Sequence, residues 1–449
     1  MTRTSHKIVI VGGGAGGLEL AARLGRKFGP AHVYLVDQAV DHIWKPSLHE
    51  VAAGTLDIHR EGLSYAMLAR DSGFTFVLGR ALRIDRQKKI VHLDKVAFEQ
   101  LDIFPLRELA YDTLVLAVGS KSNFFGTPGA SEFAIALDST RQAERFRQLL
   151  LRDLVLADRS KAGGPAAGDP AAGGPAAGGP AYPLRIAIVG GGATGVELAA
   201  ELLEAARNVT AYGLDHLDPA HDVKITLLEG APRILSGLPE NMSEAATSLL
   251  RDRGIHVNTS VRIAEVKNDA LYDEKGIRYP YDLCVWAAGI QAPEFLADMG
   301  LPVNRINQME VDAGLRTVDP AIFAFGDCAQ APWVGKDTSL PARAQVAHQQ
   351  ASFLVAALSE RIAGREVQPR TFGYKDYGSL VSVGHSTGVG SLMGVLSGKR
   401  WFIEGLIARW MYMSLHLQHH LTVLGLLATA SLAIGRLLIK RSAPRVKLH

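Results

Sequence analysis

Residues 8–17 are Ile-Val-Ile-Val-Gly-Gly-Gly-Ala-Gly-Gly, and residues 186–195 repeat the pattern as Ile-Ala-Ile-Val-Gly-Gly-Gly-Ala-Thr-Gly. In each copy the short apolar run predicts a buried strand, the glycines predict a tight turn, and apolar residues at helical spacing follow. A strand, turn and helix of this kind open a dinucleotide-binding unit, with the pyrophosphate at the positive end of the helix. The chain is therefore expected to contain two such units.

Both turns have the spacing Gly-x-Gly-x-x-Gly. The first glycine permits the tight turn, the second lets a phosphate approach the backbone, and the third lets the helix pack closely on the strand. The candidate nucleotide-binding residues in the two turns are Gly12, Gly14, Ala15, Gly16 and Gly17, and Gly190, Gly192, Ala193, Thr194 and Gly195.

Each unit also has an acidic residue at the end of its second predicted strand. Asp37 follows the apolar run 33–36, about 20 residues after the glycine turn, where a carboxylate binds a ribose 2′-hydroxyl. Glu229 follows the run 224–228 and is expected to have the same role in the second unit.

Three further apolar runs, 113–118, 282–287 and 322–325, predict buried strands that end in small residues or an acid. The last leads into Gly326-Asp327, whose carboxylate would contact the ribityl chain of a flavin in the layout of FAD/NAD(P)H reductases. The candidate cofactor residues added by these runs are Ala117, Gly119, Ala288, Gly289 and Asp327.

Composition excludes several classes of protein. The chain has 449 residues, of which 47% are hydrophobic and 21% charged, as expected for a globular protein of more than one domain. A formal net charge of +3 gives no reason to expect a nucleic-acid partner. Two distant cysteines predict no disulfide framework. The first apolar run is too short for a signal peptide, so the protein is expected on the cytoplasmic side.

The region after residue 400 has a different character. Apolar residues recur at helical spacing from Trp401 to His420, and the apolar run 421–435 is shorter than the roughly 20 residues that a membrane span needs. Tryptophans and terminal basic residues favour a monotopic anchor on a lipid surface, and a helix buried in a homodimer is compatible with it. His416, His419 and His420 have no nearby carboxylate or cysteine in sequence, so no metal site is expected.

Two dinucleotides leave the electron acceptor open. A disulfide reductase needs a Cys-x4-Cys pair near the flavin, where this chain has His42-Ile-Trp-Lys-Pro-Ser-Leu-His49. Sulfide oxidation at a quinone needs several cysteines, whereas Cys284 lies within a predicted strand and only Cys328 lies near the expected flavin site. A soluble reductase of a ferredoxin-like carrier and a flavin-binding redox sensor remain alternatives.

Over nearly its whole length the chain resembles the bacterial type II NADH:quinone oxidoreductases, which are single-subunit and do not pump protons. A long Gly/Pro/Ala tract is the departure from the family pattern. The shared motifs are residues 8–17, His42-Ile-Trp-Lys-Pro46, His49-Glu-Val-Ala52, Tyr111-Asp-Thr-Leu114, residues 190–198, Val285-Trp-Ala-Ala-Gly-Ile290, Arg343-Ala-Gln-Val-Ala-His-Gln349, Tyr374-Lys-Asp-Tyr-Gly-Ser-Leu380, Gly390-Ser-Leu-Met-Gly394 and Pro444-Arg-Val-Lys-Leu-His449.

The resemblance implies non-covalent FAD, NADH as donor and a membrane quinone as acceptor at the cytoplasmic face of the inner membrane. It identifies Ala344-Gln345-x-Ala-x-Gln349 as the quinone motif, and the two glutamines, four residues apart, share a helix face. The helix is predicted from about Pro341. Glu197, predicted in the first turn of its helix, is implied in proton transfer near the nicotinamide. Lys45 is implied at the flavin and Lys375 in the quinone tunnel.

The predicted fold class is α/β, with two Rossmann-like dinucleotide-binding domains of the pyridine nucleotide-disulfide reductase kind and a C-terminal amphipathic helical membrane anchor. The Gly/Pro/Ala tract cannot bury enough apolar surface to order itself, so it is assigned as a linker. The predicted divisions are residues 1–158, first part of the FAD-binding domain; 159–182, linker; 183–303, NADH-binding domain; 304–395, second part of the FAD-binding domain with the quinone site; and 396–449, the membrane-association region.

Overall fold

The computed structural model describes residues 6–99, 101–163, 183–365, 369–382, 388–393, 400–404 and 417–439. The helices are α1 (Ala15–Phe28), α2 (Leu48–Ala53), α3 (Ile58–Glu61), α4 (Tyr65–Ser72), α5 (Ala130–Phe133), α6 (Thr140–Lys161), α7 (Ala193–Thr210), α8 (Pro219–Asp222), α9 (Glu240–Asp252), α10 (Ala344–Ile362), α11 (417–424) and α12 (Leu426–Ile439).

The strands are β1 (Ile8–Val11), β2 (Val33–Asp37), β3 (Asp41–His42), β4 (Leu63–Ser64), β5 (Thr75–Leu78), β6 (Ala81–Asp85), β7 (Ile90–Leu93), β8 (Val96–Phe98), β9 (Leu101–Phe104), β10 (Arg107–Ala110), β11 (Thr113–Leu116), β12 (Lys121–Ser122), β13 (Ile135–Ala136), β14 (Leu184–Val189), β15 (Val223–Glu229), β16 (His256–Thr259), β17 (Ile263–Lys267), β18 (Ala270–Asp273), β19 (Arg278–Pro280), β20 (Leu283–Trp286), β21 (Ile290–Gln291), β22 (Met309–Glu310), β23 (Ile322–Ala324), β24 (Ala329–Gln330), β25 (Gly378–Ser382), β26 (Gly388–Met393) and β27 (Arg400–Glu404).

Two five-stranded parallel sheets carry the two glycine turns. The first has the order β23-β11-β1-β2-β5 and the second has the order β13-β20-β14-β15-β16. In each sheet the central strand leads into a glycine turn, and the strand beside it ends on the predicted acid. Strand β1 is completely buried, and β14 is buried at every residue except the partly exposed Arg185, which matches their apolar runs because parallel sheets are covered on both faces.

The chain leaves the first sheet, builds the second and returns to add β23 beside β11. Each large sheet has a smaller antiparallel companion, β10-β7-β6 for the first and β17-β18-β19 for the second. A short pairing of β12 with β21 joins the connecting segments of the two units.

Helices α1 and α10 pack in one core cluster with the first sheet, which includes Leu20, Leu24, Ala351 and Leu354. The predicted beginning of α10 near Pro341 was wrong, because the helix begins at Ala344 with Arg343 in extended conformation. The cluster also contains Val423 of α11. The C-terminal part of the chain therefore contributes to the core of the first unit.

The predicted amphipathic helix from Trp401 to His420 was wrong at its start. Residues 400–404 form strand β27, which pairs with β26, and β26 pairs with β25. The Trp-Phe-Ile sequence is compatible with both structures, and large aromatic and β-branched residues favour strands once a partner strand is present. Residues 405–416, His416 among them, the linker residues 164–182 and the terminal residues 440–449 lie outside the described residues.

The apolar run after residue 420 is divided between two helices by Gly425, whose φ is +84°. Leu426, Leu427 and Ile434 of α12 are exposed. Among the described residues, no helix combines the length and the apolar character that crossing a membrane requires.

Candidate functional site

The first glycine turn closes against its own backbone and stays open at one position. Gly12 has a φ of +104°, and a Cβ there would lie 2.4 Å from the carbonyl oxygen of Ala117. A Cβ on Gly17 would lie 1.9 Å from the carbonyl oxygen of Gly12, so a side chain would force α1 away from β1. A Cβ on Gly14 would meet no atom within 4 Å. This open position is where a pyrophosphate would approach the helix N-terminus.

Asp37 fixes the same turn from the end of β2. Its carboxylate accepts hydrogen bonds from the backbone N–H of Gly13 at 2.6 Å and of Ala39 at 2.8 Å. Burial raises the pKa of Asp37 although these N–H groups act in the opposite direction. The carboxylate has further lone pairs, which are available to a ribose hydroxyl.

The second turn repeats this geometry. A Cβ on Gly195 would lie 1.9 Å from the carbonyl oxygen of Gly190, and a Cβ on Gly192 would meet no atom within 4 Å. Glu229 accepts hydrogen bonds from the N–H of Gly191 at 2.5 Å and of Ala231 at 2.7 Å. The two glycine turns, each with a carboxylate behind it, therefore form two equivalent sites, called here the first cradle (residues 12–17 with Asp37) and the second cradle (residues 190–195 with Glu229).

The small residues that flank the two turns have distinct surroundings. Ala15 and Ala193 begin α1 and α7, and Thr194 follows in an exposed position. Gly16 has a packing role, because a Cβ there would lie 2.5 Å from the ring of Phe325. Gly119, at a φ of +69°, has open space around its Cβ position.

Ala288 and Gly289 follow β20 at the carboxyl edge of the second sheet, where the strand order reverses. Such a switch point is where open α/β sheets bind ligands. Gly289 has a φ of +64°, and the ring of Phe125 occupies the space a Cβ would need. The Nε1–H of Trp286 donates to the carbonyl of Asn123 at 2.9 Å. The segment after β12 therefore covers this edge.

Lys45 and Asp327 are brought together through Ser120. The Lys45 ammonium donates to the Ser120 carbonyl at 2.5 Å, and the Ser120 hydroxyl donates to the Asp327 carboxylate at 2.9 Å. Lys45 also lies 3.9 Å from Asp138. The cation and the carboxylate predicted at a flavin thus lie at the ends of β11 and β23, beside the first glycine turn.

Helix α10 begins at Ala344 without a side-chain cap, so its first N–H groups are available to an acceptor. The Gln345 side-chain oxygen accepts a 2.5 Å hydrogen bond from the Tyr374 hydroxyl. Among the described residues, no partner is recorded for the Gln345 amide NH2 group. Gln345 therefore keeps two donors for a ligand carbonyl.

Gln349 has a different role from Gln345. Its amide donates to the Lys375 carbonyl at 2.8 Å, and its oxygen accepts from the Lys375 N–H at 3.1 Å. Gln349 thus fastens the segment before β25 to α10, with one N–H left over. The Lys375 ammonium is exposed and lies 5.3 Å from the centre of the Tyr377 ring.

Two residues at this site were missed from the sequence. Gln350 is buried and accepts a 2.9 Å hydrogen bond from the N–H of Gly326, which ties α10 to the Gly326-Asp327 turn. Tyr374 holds Gln345, and burial raises the pKa of its hydroxyl to about 12, so it remains a donor. Tyr374 lies within a motif already noted, but its partner 29 positions away leaves no local signal.

Glu197 is buried in the second turn of α7, not in the first as predicted, because α7 begins directly after the glycine turn at Ala193. Burial raises its pKa to about 8, although the N–H of Ser382 donates to it at 3.1 Å. Its other oxygen lies 3.6 Å from Nδ1 of His49, a buried ring nitrogen that has no hydrogen-bond partner within the described part of the chain. Burial lowers the pKa of His49. Glu197 thus keeps its proton near neutral pH, beside a buried His49 whose pKa is lowered.

Both thiols are buried and separate from each other. Cys284 lies in the core of the second sheet, and burial raises its pKa strongly. Cys328 donates to the carbonyl of Phe325 at 3.3 Å, and burial raises its pKa to about 11. Neither is a reactive thiolate, which argues against sulfur chemistry. Among the described residues, no three His, Cys, Asp or Glu side chains are arranged to hold a metal ion.

The chain matches the family model of the pyridine nucleotide-disulphide oxidoreductases over residues 6–351. It is 38% identical to the type II NADH:quinone oxidoreductase of Haemophilus influenzae, over 98% of this chain and 99% of that protein. It is 26% identical to the type II NADH:quinone oxidoreductase of Staphylococcus aureus, over 89% of this chain and 93% of the relative.

Among solved structures, the chain is similar to NDH2 of Plasmodium falciparum in complex with NADH, with a TM-score of 0.80, 19% identity and full coverage of both chains. It is also similar to the sulfide:quinone oxidoreductase of Aquifex aeolicus, with a TM-score of 0.68, 17% identity and coverage of 92% of this chain and 90% of that one. At these identities the likeness establishes the fold.

The glycines of the second turn provide a matched pair of substitutions. Gly195→Ala places a Cβ 1.9 Å from the Gly190 carbonyl and should lower the free energy of unfolding by about 1–3 kcal/mol, as overpacking does. Gly192→Ala meets no atom and should leave the melting temperature within a few degrees of wild type while it raises the KM for NADH. Thermal melting and steady-state kinetics measure both. A melting loss at Gly192 equal to that at Gly195 would contradict the open cradle.

The raised pKa of Glu197 predicts a pH dependence of stability. The folded state keeps the proton up to about pH 8, whereas the ordinary value is 4.5. The retained proton therefore adds to the free energy of unfolding. This stabilisation is fully present below pH 4.5 and is lost as pH rises through 8, at up to about 1.4 kcal/mol per pH unit. Glu197→Gln should therefore flatten the fall in unfolding free energy between pH 5.5 and pH 8.5, measured with urea. Glu244→Gln, at an exposed site on α9, is the control, and equal slopes in all three proteins would refute the prediction.

Proposed function

The chain belongs to the pyridine nucleotide-disulphide oxidoreductase family and, within it, to the type II NADH:quinone oxidoreductases, and from this premise we propose that it is a respiratory enzyme that oxidises NADH and reduces a membrane quinone. The overall reaction converts NADH, one proton and quinone into NAD⁺ and quinol. The observation that carries the proposal is the pair of equivalent cradles, each open at one glycine and backed by one carboxylate.

We assign non-covalent FAD to the first cradle. When bound, FAD would accept a hydride equivalent from NADH and pass two electrons to quinone. The open position at Gly14 fits its pyrophosphate, Asp37 its ribose, and the Lys45–Ser120–Asp327 group its flavin end. The unpaired N–H groups at the start of α10 would stabilise negative charge there. The domain divisions predicted from the sequence remain predictions, and one of them is better drawn earlier: β13 pairs with β20 and α6 packs in the core of the second sheet, so we count residues 135–161 with the second unit.

NADH is assigned to the second cradle. Gly192 leaves room for its pyrophosphate, and Glu229 would accept the hydrogen bond of the adenosine ribose. Ala288 and Gly289 lie at the switch point, on the path from this cradle to the first unit. The pairing of β12 with β21 fixes the spacing of the two units along that path.

The quinone is assigned to the start of α10 and the segment before β25. Gln345 would donate its amide to a quinone carbonyl, since its oxygen is already held by Tyr374. Gln349 positions that segment through its two hydrogen bonds with the Lys375 backbone. Lys375 supplies an exposed cation near the expected entrance. Glu197, with a pKa of about 8, would hold a proton that the quinone needs.

The cellular placement we propose is the cytoplasmic face of the inner membrane. The exposed leucines of α12 and the basic residues at the C-terminus suit a peripheral, monotopic contact with lipid. The relative at 38% identity, a quinone reductase, favours a quinone over a ferredoxin-like carrier as the acceptor.

Glu229 predicts a preference for NADH over NADPH, because a carboxylate repels a 2′-phosphate. Arg233, the nearby cation, is occupied by the carbonyls of Leu235, Ser236 and Leu238 and cannot neutralise that phosphate without breaking these bonds. We expect kcat/KM for NADH to exceed that for NADPH by roughly tenfold or more, and Glu229→Gln to narrow the ratio. Equal values in the wild type would contradict the assignment of Glu229.

Gln345 and Gln349 should affect the quinone half-reaction and spare the NADH half-reaction. Loss of a hydrogen bond to a neutral carbonyl costs about 1 kcal/mol, so Gln345→Ala should slow reoxidation roughly fivefold. Gln349→Ala should slow it as well, because the Tyr374 segment loosens. Stopped-flow mixing separates bleaching of the flavin by NADH from its reoxidation by quinone. Tyr374→Phe, which removes one hydroxyl, should have a smaller effect, and slowed bleaching with normal reoxidation would overturn the assignment.

A further inference from the structure

A largely buried network of hydrogen-bonded side chains, called here the Glu19 network, connects four separate segments of the protein, and the proposed reaction does not use it. The Glu19 carboxylate on α1 lies 2.6 Å from Nδ1 of His348 on α10 and 2.9 Å from Nδ1 of His419 on α11. Nε2 of His419 lies 2.9 Å from Nε2 of His42, and Nδ1 of His42 lies 3.0 Å from the Gly13 carbonyl oxygen. No carboxylate lies near His419 in the sequence, but the fold supplies one in Glu19, which is 400 positions away.

The donors and acceptors of the Glu19 network follow from the partners of each ring nitrogen. A carbonyl oxygen only accepts, so His42 carries its proton on Nδ1, and burial lowers its pKa well, which leaves Nε2 as an acceptor. Nε2 of His419 must then donate to it. Burial acts to raise the pKa of Glu19, but the hydrogen bonds from His348 and His419 outweigh it and lower that pKa, so Glu19 is ionised and accepts. In this arrangement His419 bridges the Glu19 carboxylate and the His42 ring, with Nδ1 directed at the one and Nε2 at the other.

A second contact docks α11 on the same face of α1. Arg26 lies seven residues after Glu19, two helical turns further along. Its guanidinium donates to the carbonyl of Thr422 at 3.0 Å and to that of Val423, the last carbonyls of α11. A cation at this end of a helix is favourable. The side chain of Val423 is buried in the core beside α1.

At one end, the Glu19 network reaches the backbone of Gly13 in the first glycine turn. The Gly13 carbonyl accepts from His42 and, at 2.6 Å, from the Tyr65 hydroxyl, while the Gly13 N–H donates to Asp37. All bonding groups of this peptide are thus held by side chains. At its other end, the Glu19 network includes His348, which lies between Gln345 and Gln349 on α10. Docking of α11 therefore bears on the turn next to Gly14 and on the helix assigned to quinone.

We propose that His419 is a positioning residue for the flavin: through Glu19 and His42 it docks the C-terminal helix α11 on the first glycine turn, so that tight binding of FAD depends on this distant segment. The inference rests on the assignment of FAD to the first cradle. It gives α11 a role in cofactor retention that is separate from any contact of α12 with lipid.

The test compares point variants of the full chain after removal and return of FAD. The FAD dissociation constant, followed by quenching of flavin fluorescence, should rise about tenfold or more in His419→Leu and in Glu19→Leu, since each removes two hydrogen bonds of the buried network. Glu19→Gln should stay within about threefold of wild type, because its amide oxygen can accept from His419 and its NH2 group can donate to Nδ1 of a neutral His348. Gln418→Ala, an exposed neighbour on α11, should match wild type.

Two further measurements separate positioning from general damage. The affinity for ADP-ribose reports on the second cradle and should be unchanged in every variant. Arg26→Gln loosens the other end of the docked helix and should weaken FAD binding in the same direction, which serves if His419→Leu does not fold. Unchanged FAD affinity in His419→Leu and Arg26→Gln would overturn this inference alone. A wild-type chain that binds no flavin would overturn the proposed function and, with it, this inference.

Discussion

The carbonyl oxygen of Gly12 faces the Cα of Gly17 at a distance that excludes any side chain, and the carbonyl of Gly190 faces Gly195 in the same way. This contact sets how closely α1 packs on β1 and α7 on β14, and so where each helix N-terminus points. Because the N–H groups at that terminus are the atoms proposed to bind phosphate, the placement proposed for both cofactors depends on the contact. The strand orders, the acids behind the turns and the covering helices all follow from one unit used twice.

Burial of charge is the second constraint, and the protein meets it with bonds to each carboxylate. Asp37 and Glu229 are each held by two backbone N–H groups. Glu19 is held by two histidines and stays ionised, whereas Glu197 has one N–H donor and a pKa of about 8. A buried carboxyl with few donors keeps its proton near neutral pH, which suits a group that must give the proton up. Among these acids, Glu197 is therefore the candidate proton carrier.

The strands and glycine turns were predictable because each produces a local signal. An apolar run followed by Gly-x-Gly-x-x-Gly specifies its own strand, turn and helix within about 30 residues. The strand at Trp401 was not predictable, since its residues also fit a helical spacing and its partner strand lies in another segment. The pairing of Glu19 with His419 is 400 positions apart and has no local pattern at either end. Tyr374 and Gln350 were missed for the same reason, because their partners lie in distant segments.

The two cradles differ in what lies behind them, and the difference matches the roles proposed for them. The Gly13 carbonyl is held by side chains from two other elements, one of them connected to α11. The Gly191 carbonyl accepts a backbone N–H, that of Leu235 at 2.7 Å, and no other donor to it lies among the residues that the structure describes. A resident cofactor gains from a turn that is fixed before it binds, because less ordering is left to oppose binding. A substrate that must leave in every cycle gains nothing from such tightness, since strong ground-state binding does not accelerate turnover. The turn proposed to keep FAD is therefore held by side chains from distant segments, whereas the turn proposed to exchange NADH is held by a backbone contact within its own unit.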